Sequence, residues 1–199
     1  MGDSSSKTIR RKGGPRKATA RHLRNAALAH LNRYPTSAGH LRRLLLARVA
    51  RSARLHDTDP EAGSAVVEAL ITEFSASGWL DDRAYAAGRA ETLFRRGASA
   101  RAIEAELAGK QIAPDLIRQA LARLGEVAAD PELCAALRFA RKRRLGPYRP
   151  ADDCAARRGR DLAALARKGF DLELSRRIID AADVTDLERE AVLDDPADS

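Results

Sequence analysis

The chain has 199 residues and a formal net charge of +8, a length that suits one ordinary domain or a string of small ones. Ala (40) and Leu (24) dominate, whereas Val and Ile together supply 13 residues and the aromatics eight. This composition points to an all-α protein held by many small contacts and excludes a large sandwich or barrel core.

No segment approaches the roughly 18 consecutive apolar residues of a membrane-spanning helix, and none resembles a secretory signal. The expected setting is therefore the cytoplasm, with no membrane association.

In chain order, the first segment is basic. Residues 1–24 carry a net charge of +7. Lys7, Arg10, Arg11, Lys12, Arg16 and Lys17, broken by Gly13, Gly14 and Pro15, have nothing to bury and are expected to lie along a polyanion, most simply nucleic acid. Met1 to Ser6 formally fits an acylation pattern, but the same residues suit a disordered leader over 1–18.

Beyond it, Asp59-Pro60 and Asp130-Pro131 read as N-caps followed by proline, with Ser37, Asp81, Ser99 and Asp171 as further caps. Gly78, Gly97, Gly146 and Gly169 sit where helices should stop. These signals predict nine helices, over 20–33, 37–56, 60–77, 82–95, 99–109, 114–124, 131–144, 153–168 and 172–182. The chain closes on an acidic segment, net −6 over 183–199, in which Thr185 and Glu188 form a capping pattern for one more short helix.

The helices are not independent. Val66, Val67, Leu70, Ile71 and Phe74 define a spacing that returns 50 residues later as Leu116, Ile117, Ala120, Leu121 and Leu124, and after 58 more as Leu174, Ser175, Ile178, Ile179 and Ala182. The same 58-residue offset lays Leu107, Lys110 and Ile112 on Leu165, Lys168 and Phe170. An offset of 62 lays Ser37, Leu41 and Leu45 on Ser99, Ile103 and Leu107. We therefore expect an elongated array of three tandem three-helix units, over 19–78, 79–127 and 128–183, followed by an acidic tail over 184–199. With no spare apolar face, the array should be a monomer.

No catalytic constellation is present: there is no glycine loop for nucleotide phosphates, no HExxH and no GxSxG. His22, His30, His40 and His56 lack the i, i+4 spacing of a helical metal pair and read as structural. Cys134 and Cys154 are too far apart for a zinc or redox pair and read as packing thiols. Asp81/Asp82 and Asp152/Asp153 fall at helix starts, where they oppose the dipole. No catalytic residue, metal or cofactor is expected.

The basic clusters are more telling. Arg42, Arg43, Arg48, Arg51 and Arg54 run without an acid between residues 34 and 56. Arg95 and Arg96, with Arg101 after them, surround the Gly97 turn. Arg138, Arg141, Lys142, Arg143 and Arg144 occupy the matching end of the seventh helix. Arginine at a helix C-terminus complements the dipole by a few tenths to about 1 kcal/mol, which accounts for one or two per end but not four in a row. We take Arg42, Arg43, Arg95, Arg96, Arg101, Arg138, Arg141, Lys142, Arg143 and Arg144 as basic corners for an anionic or acidic surface.

Gly78-Trp79-Leu80-Asp81-Asp82-Arg83-Ala84-Tyr85-Ala86, continuing through Phe94-Arg95-Arg96-Gly97-Ala98-Ser99 to Ile103, Leu107, Lys110 and Ile112, resembles the RecX family of bacterial recombination regulators. The likeness is close over the second unit and extends in helix pattern over about residues 22–182. The departure is Gln111, where the family usually has Gly. Read physically, Gly78, Trp79, Leu80, Asp81 and Tyr85 form a structural signature, with Trp79 as a core anchor rather than a base-stacking residue.

The resemblance implies a non-enzymatic protein that binds the filament of RecA on single-stranded DNA and depresses its ATP hydrolysis, strand exchange and promotion of repressor cleavage. This would place it in DNA repair, recombination and the SOS response. The competing reading is a direct DNA-binding architectural or regulatory helical protein that acts without RecA.

Overall fold

The computed structural model describes residues 16–191. The acylation pattern, the leader cations Lys7 to Lys12 and residues 192–199 of the acidic tail lie outside the described residues, as do the side chains of Asp152 and Asp153.

Among the described residues all regular structure is helical. The α-helices are α1 (Ala20–Leu31), α2 (Ala38–His56), α3 (Pro60–Ala76), α4 (Asp82–Arg95), α5 (Ala100–Gly109), α6 (Pro114–Ala122), α7 (Pro131–Arg143), α8 (Ala151–Arg167), α9 (Leu172–Ile179) and α10 (Thr185–Ala191). Short 3-10 turns occupy Arg123–Glu126 and Gly146–Tyr148. Among the described residues no helix is long and apolar enough to cross a membrane.

The helix starts follow from local chemistry. The carboxylates of Asp59, Asp81, Asp130 and Asp171 accept backbone N–H bonds in the first turns of α3, α4, α7 and α9. The Ser99 hydroxyl does the same for α5, accepting from Ala102. Each bond satisfies a donor that the helix itself leaves unpaired, worth about 1 kcal/mol.

The chain divides into two compact units, one comprising residues up to Thr36 with His40–Leu80, the other Ser37–Gly39 with the chain from Asp81 on. The first unit has a core of Leu23, Ala27, Leu41, Leu45, Val49, Val67, Leu70, Ile71 and Phe74. In the second, one core runs from Ala86 and Phe94 through Leu107, Leu124, Ala128 and Leu133 to Leu165 and Ile178. The boundary expected between 127 and 128 thus separates no cores, because Leu124, Ala128 and Leu133 are buried together. Two of the recurring positions are nonetheless buried in every repeat: Val67, Ile117 and Ser175, and Leu70, Ala120 and Ile178.

Several details differ from expectation. Residues 185–191, assigned to the acidic tail, form α10, and Leu187 and Ala191 on it, with Val184 just before it, meet the core. Its first turn is held by Asp183, which accepts from the Thr185 N–H and hydroxyl, so Thr185 is the bonded residue rather than the cap. Helix α9 ends at Ile179, and Ala182 is exposed. Gly146 does not stop α7. Arg144 does so, in the left-handed region at φ 52°, while Gly146 (φ 51°) lets the following turn press against Ile179. Gln111, at φ 60°, adopts the conformation that glycine would supply. Gly39, in the same unit, leaves room for it, since a β-carbon there would lie 2.4 Å from that of Gln111.

At the Gly97 turn a positive φ coincides with close backbone on a neighbouring helix. Here φ is +77°, and an added β-carbon would lie 2.9 Å from the Phe139 nitrogen and 3.0 Å from the Ala135 oxygen on α7. Gly97→Ala is therefore expected to cost well over 1 kcal/mol in urea denaturation. Gly88→Ala, in the interior of α4 with nothing within 4 Å, should instead stabilise by roughly 0.5–1 kcal/mol.

Candidate functional site

Because Gly97 turns sharply and lies against α7, the end of α4 is brought beside the end of α7. The turn is closed by Gly97 N–H donating to the Phe94 carbonyl (2.8 Å) and Ala98 N–H to Leu93 (3.1 Å). A second pin draws in α8: the buried Ser99 hydroxyl donates to the Lys168 carbonyl at 2.6 Å.

The result is a cleft of about 630 Å³ whose apolar floor includes Leu93, Ala98, Ala102, Phe139 and Ala164. Its rim carries Arg96, Lys142, Arg143, Arg167 and Lys168. One carboxylate lines it, Glu106, and that group is held by Arg89 at 2.8 Å. Lys168 Nζ stands 5.8 Å from the centre of the Phe139 ring, but no ion pair engages these five cations among the described residues.

Three helix C-termini, those of α4, α7 and α8, converge here, and their dipoles favour cations. At about half a negative charge each, the three ends offset roughly 1.5 of the five positive charges. A surplus of about 3.5 charges remains, which local dipole compensation leaves unexplained and an external anion would satisfy.

The ten expected basic residues do not behave alike. Arg96, Lys142 and Arg143 enter the cleft. Arg42 is engaged by both carboxylate oxygens of Glu68 at 2.8 and 3.0 Å, and Arg43 donates to the His40 ring. Arg95 pairs with Glu91 at 2.6 Å. Arg141 pairs with Glu188 at 2.5 Å, which holds its guanidinium pKa above its usual value. Arg138 lies over the Phe94 ring, 4.8 Å from its centre. Arg101 and Arg144 are exposed outside the cleft.

Arg167 and Lys168 were not singled out, although Arg167-Lys168-Gly169 repeats the pattern of Arg95-Arg96-Gly97 and both glycines have positive φ.

The residues of the expected structural signature are placed as follows. Gly78 (φ 76°) ends α3, Leu80 N–H returns to the Phe74 carbonyl at 3.0 Å, and Leu80 is buried. Asp81 caps α4, and Tyr85 packs half-buried against the core of the second unit. Trp79, expected in the core, is 54% exposed. The left-handed turn points Leu80 inward, the usual hydrophobic contact after such a stop, and its neighbour outward.

Among the described residues no group of three His, Cys, Asp or Glu side chains could hold a metal ion.

A family model described as RecX, second three-helix domain, matches residues 81–121, which contain the Gly97 turn. The protein named Regulatory protein RecX of Myxococcus xanthus (strain DK1622) is 38% identical over 168 residues, covering 84% of this chain and 89% of that protein. The chain belongs to the RecX family. A second RecX relative, Regulatory protein RecX of Agrobacterium fabrum (strain C58 / ATCC 33970), is 31% identical over 156 residues, 78% of this chain and 80% of its own length. No solved structure matches the chain. RecX relatives are named as regulatory proteins, so the cleft belongs to a member of a regulatory family.

If unpaired charge is what an anion meets, two substitutions of equal formal charge should differ. Arg143→Ala/Arg167→Ala is expected to elute from immobilised heparin at clearly lower salt than Arg42→Ala/Arg141→Ala. Equal shifts would show that total charge alone governs retention.

Proposed function

We propose that this RecX-family chain is a non-catalytic regulator that binds the RecA filament on single-stranded DNA as a monomer in the cytoplasm. It lowers the filament's ATP hydrolysis, strand exchange and promotion of repressor cleavage. The basic cleft meets the anionic face of that filament, either DNA phosphates or acidic RecA side chains. The observation supporting this most is the surplus of unpaired cations on Arg96, Lys142, Arg143, Arg167 and Lys168 around one cleft.

Cations on helix ends suit a polyanion because each phosphate neutralised releases condensed counterions, and the gain is lost as salt rises. An apolar floor beneath them adds contact with bases or with side chains of the filament. The remaining basic corners, Arg95, Arg101, Arg138, Arg141 and Arg144, would add charge at the rim of the same interface, and Arg42 and Arg43 would do so in the first unit. Most of these are already engaged, so their contribution is smaller.

The test is RecA ATPase on single-stranded DNA with the protein added substoichiometrically. Wild type should inhibit. Arg143→Ala/Arg167→Ala should raise the half-inhibitory concentration roughly five- to thirtyfold, taking about 0.5–1 kcal/mol for each exposed contact. If the contacts are to DNA phosphates, the same pair should reduce the salt slope of filament binding by about 1.4. A folded wild-type protein that leaves the ATPase unchanged while binding naked DNA would replace this reading with that of a DNA-binding protein acting without RecA.

A further inference from the structure

The first unit carries a separate feature that the basic cleft does not use. Between α1 and α2 lies a groove of about 450 Å³ with Ala26, Leu41, Leu44, Leu45 and Ala47 on its apolar side. Its polar side is made by His30, His40, Arg48 and Arg51. No carboxylate lines it. The His30 and His40 rings are 6.1 Å apart, and His30 Nε2 is buried without a hydrogen-bond partner. Arg48 and Arg51 form no ion pair among the described residues.

The charged side chains that line the groove with His30 are the cations Arg48 and Arg51. Arg43 can only donate, so its 2.9 Å contact makes His40 Nδ1 the acceptor and places the proton of the neutral ring on Nε2. On α3, Glu68 is paired with Arg42 and Glu73 with Arg24. Tyr34, 59% exposed, is not part of the groove lining, but its ring lies 5.6 Å from that of His30, which is part of it. An exposed aromatic beside His30 and unpaired arginines in the groove that His30 lines supply what an unstacked base and its phosphate need: one gives a stacking face, the other neutralises charge.

We propose that this groove is a second binding site, which receives single-stranded nucleic acid with a phosphate held among His30, Arg48 and Arg51 and a base against Tyr34. A protein carboxylate would satisfy the charges but would leave the exposed ring without a role.

The site carries a pH signature. In the free protein His30 is held below the ordinary imidazole pKa, chiefly by desolvation and then by the charge of Arg48. A bound phosphate favours the imidazolium and raises that pKa. The complex then takes up a proton that the free protein does not hold, so affinity increases as pH falls through this interval. A rise of one unit corresponds to a gain of up to about tenfold.

The experiment uses the full chain and fluorescein-labelled oligo(dT), whose bases do not titrate near neutrality, without RecA, so its outcome is independent of the partner proposed above. Affinity by anisotropy should increase severalfold from about pH 8 to about pH 6, and saturation with oligo(dT) should raise the His30 pKa read from its ring protons by NMR. His30→Gln should abolish the pH dependence while leaving the salt dependence supplied by the cleft. Arg48→Ala/Arg51→Ala should weaken binding, and Tyr34→Ala, at an exposed position that folding tolerates, should weaken it as well. A His30 titration unmoved by saturating oligo(dT), affinity unaffected by Tyr34→Ala, or an equal shift with a polyglutamate peptide would overturn the assignment.

Discussion

The contact on which the second unit's surface depends is the seating of a glycine backbone against a helix. Gly97 lies so close to Phe139 and Ala135 that no side chain fits between them, and interiors packed at this density transmit position rather than absorb it. Arg96 is therefore placed beside Lys142 and Arg143 by covalent geometry, without any attraction between them. The hydrogen bond from Ser99 to Lys168 extends the same logic to α8. Like charges are assembled by close contacts that lie beneath them, and the fold bears their repulsion because solvent and salt screen exposed charges over about 8–10 Å.

Seen this way, the arginine content divides by partner rather than by number. Arg24, Arg42, Arg89, Arg95, Arg141 and Arg158 each face a carboxylate, and exposed pairs of this kind contribute between nothing and about 1 kcal/mol. They keep the surface of an Arg-rich helical protein from repelling itself. Of the cations left over, Arg96, Lys142, Arg143, Arg167 and Lys168 gather in the cleft among α4, α7 and α8, and Arg48 and Arg51 in the groove between α1 and α2, each over an apolar floor. Segregation of paired from unpaired charge is thus the feature that sets candidate binding surfaces apart from ordinary solvated faces.

Legibility in the sequence follows from range. Helices and their caps depend on residues three or four apart, so Asp59, Asp81, Asp130 and Asp171 were readable as N-caps, and the apolar spacing revealed Val67, Ile117 and Ile178 as core. Whether an arginine is unpaired depends on a carboxylate that can be 47 residues away, as for Arg141 and Glu188, and spacing carries no trace of that. Trp79 misled because bulk suggests burial, whereas the handedness of the Gly78 turn decides which neighbour faces inward. Arg167 and Lys168 were within reach, since they precede Gly169 as Arg95 and Arg96 precede Gly97. Likewise, α10 was signalled by Val184, Leu187 and Ala191 within an otherwise acidic stretch.

The cleft also needs α8 to be in register, and a buried ion pair does this. Asp161 is 3% exposed. It accepts from the Gly146 N–H at 2.8 Å and from Arg149 at 2.9 Å through both oxygens, tying the middle of α8 to the turn that follows α7. Burying two charges costs nearly as much as their attraction returns, so the pair adds little net stability, but sliding α8 by one residue would strand both. A leucine pair of similar volume could slide at modest cost. Placing charge here therefore fixes the distance along α8 from Asp161 to Arg167, and with it the point at which the α8 C-terminus meets the cations of α7.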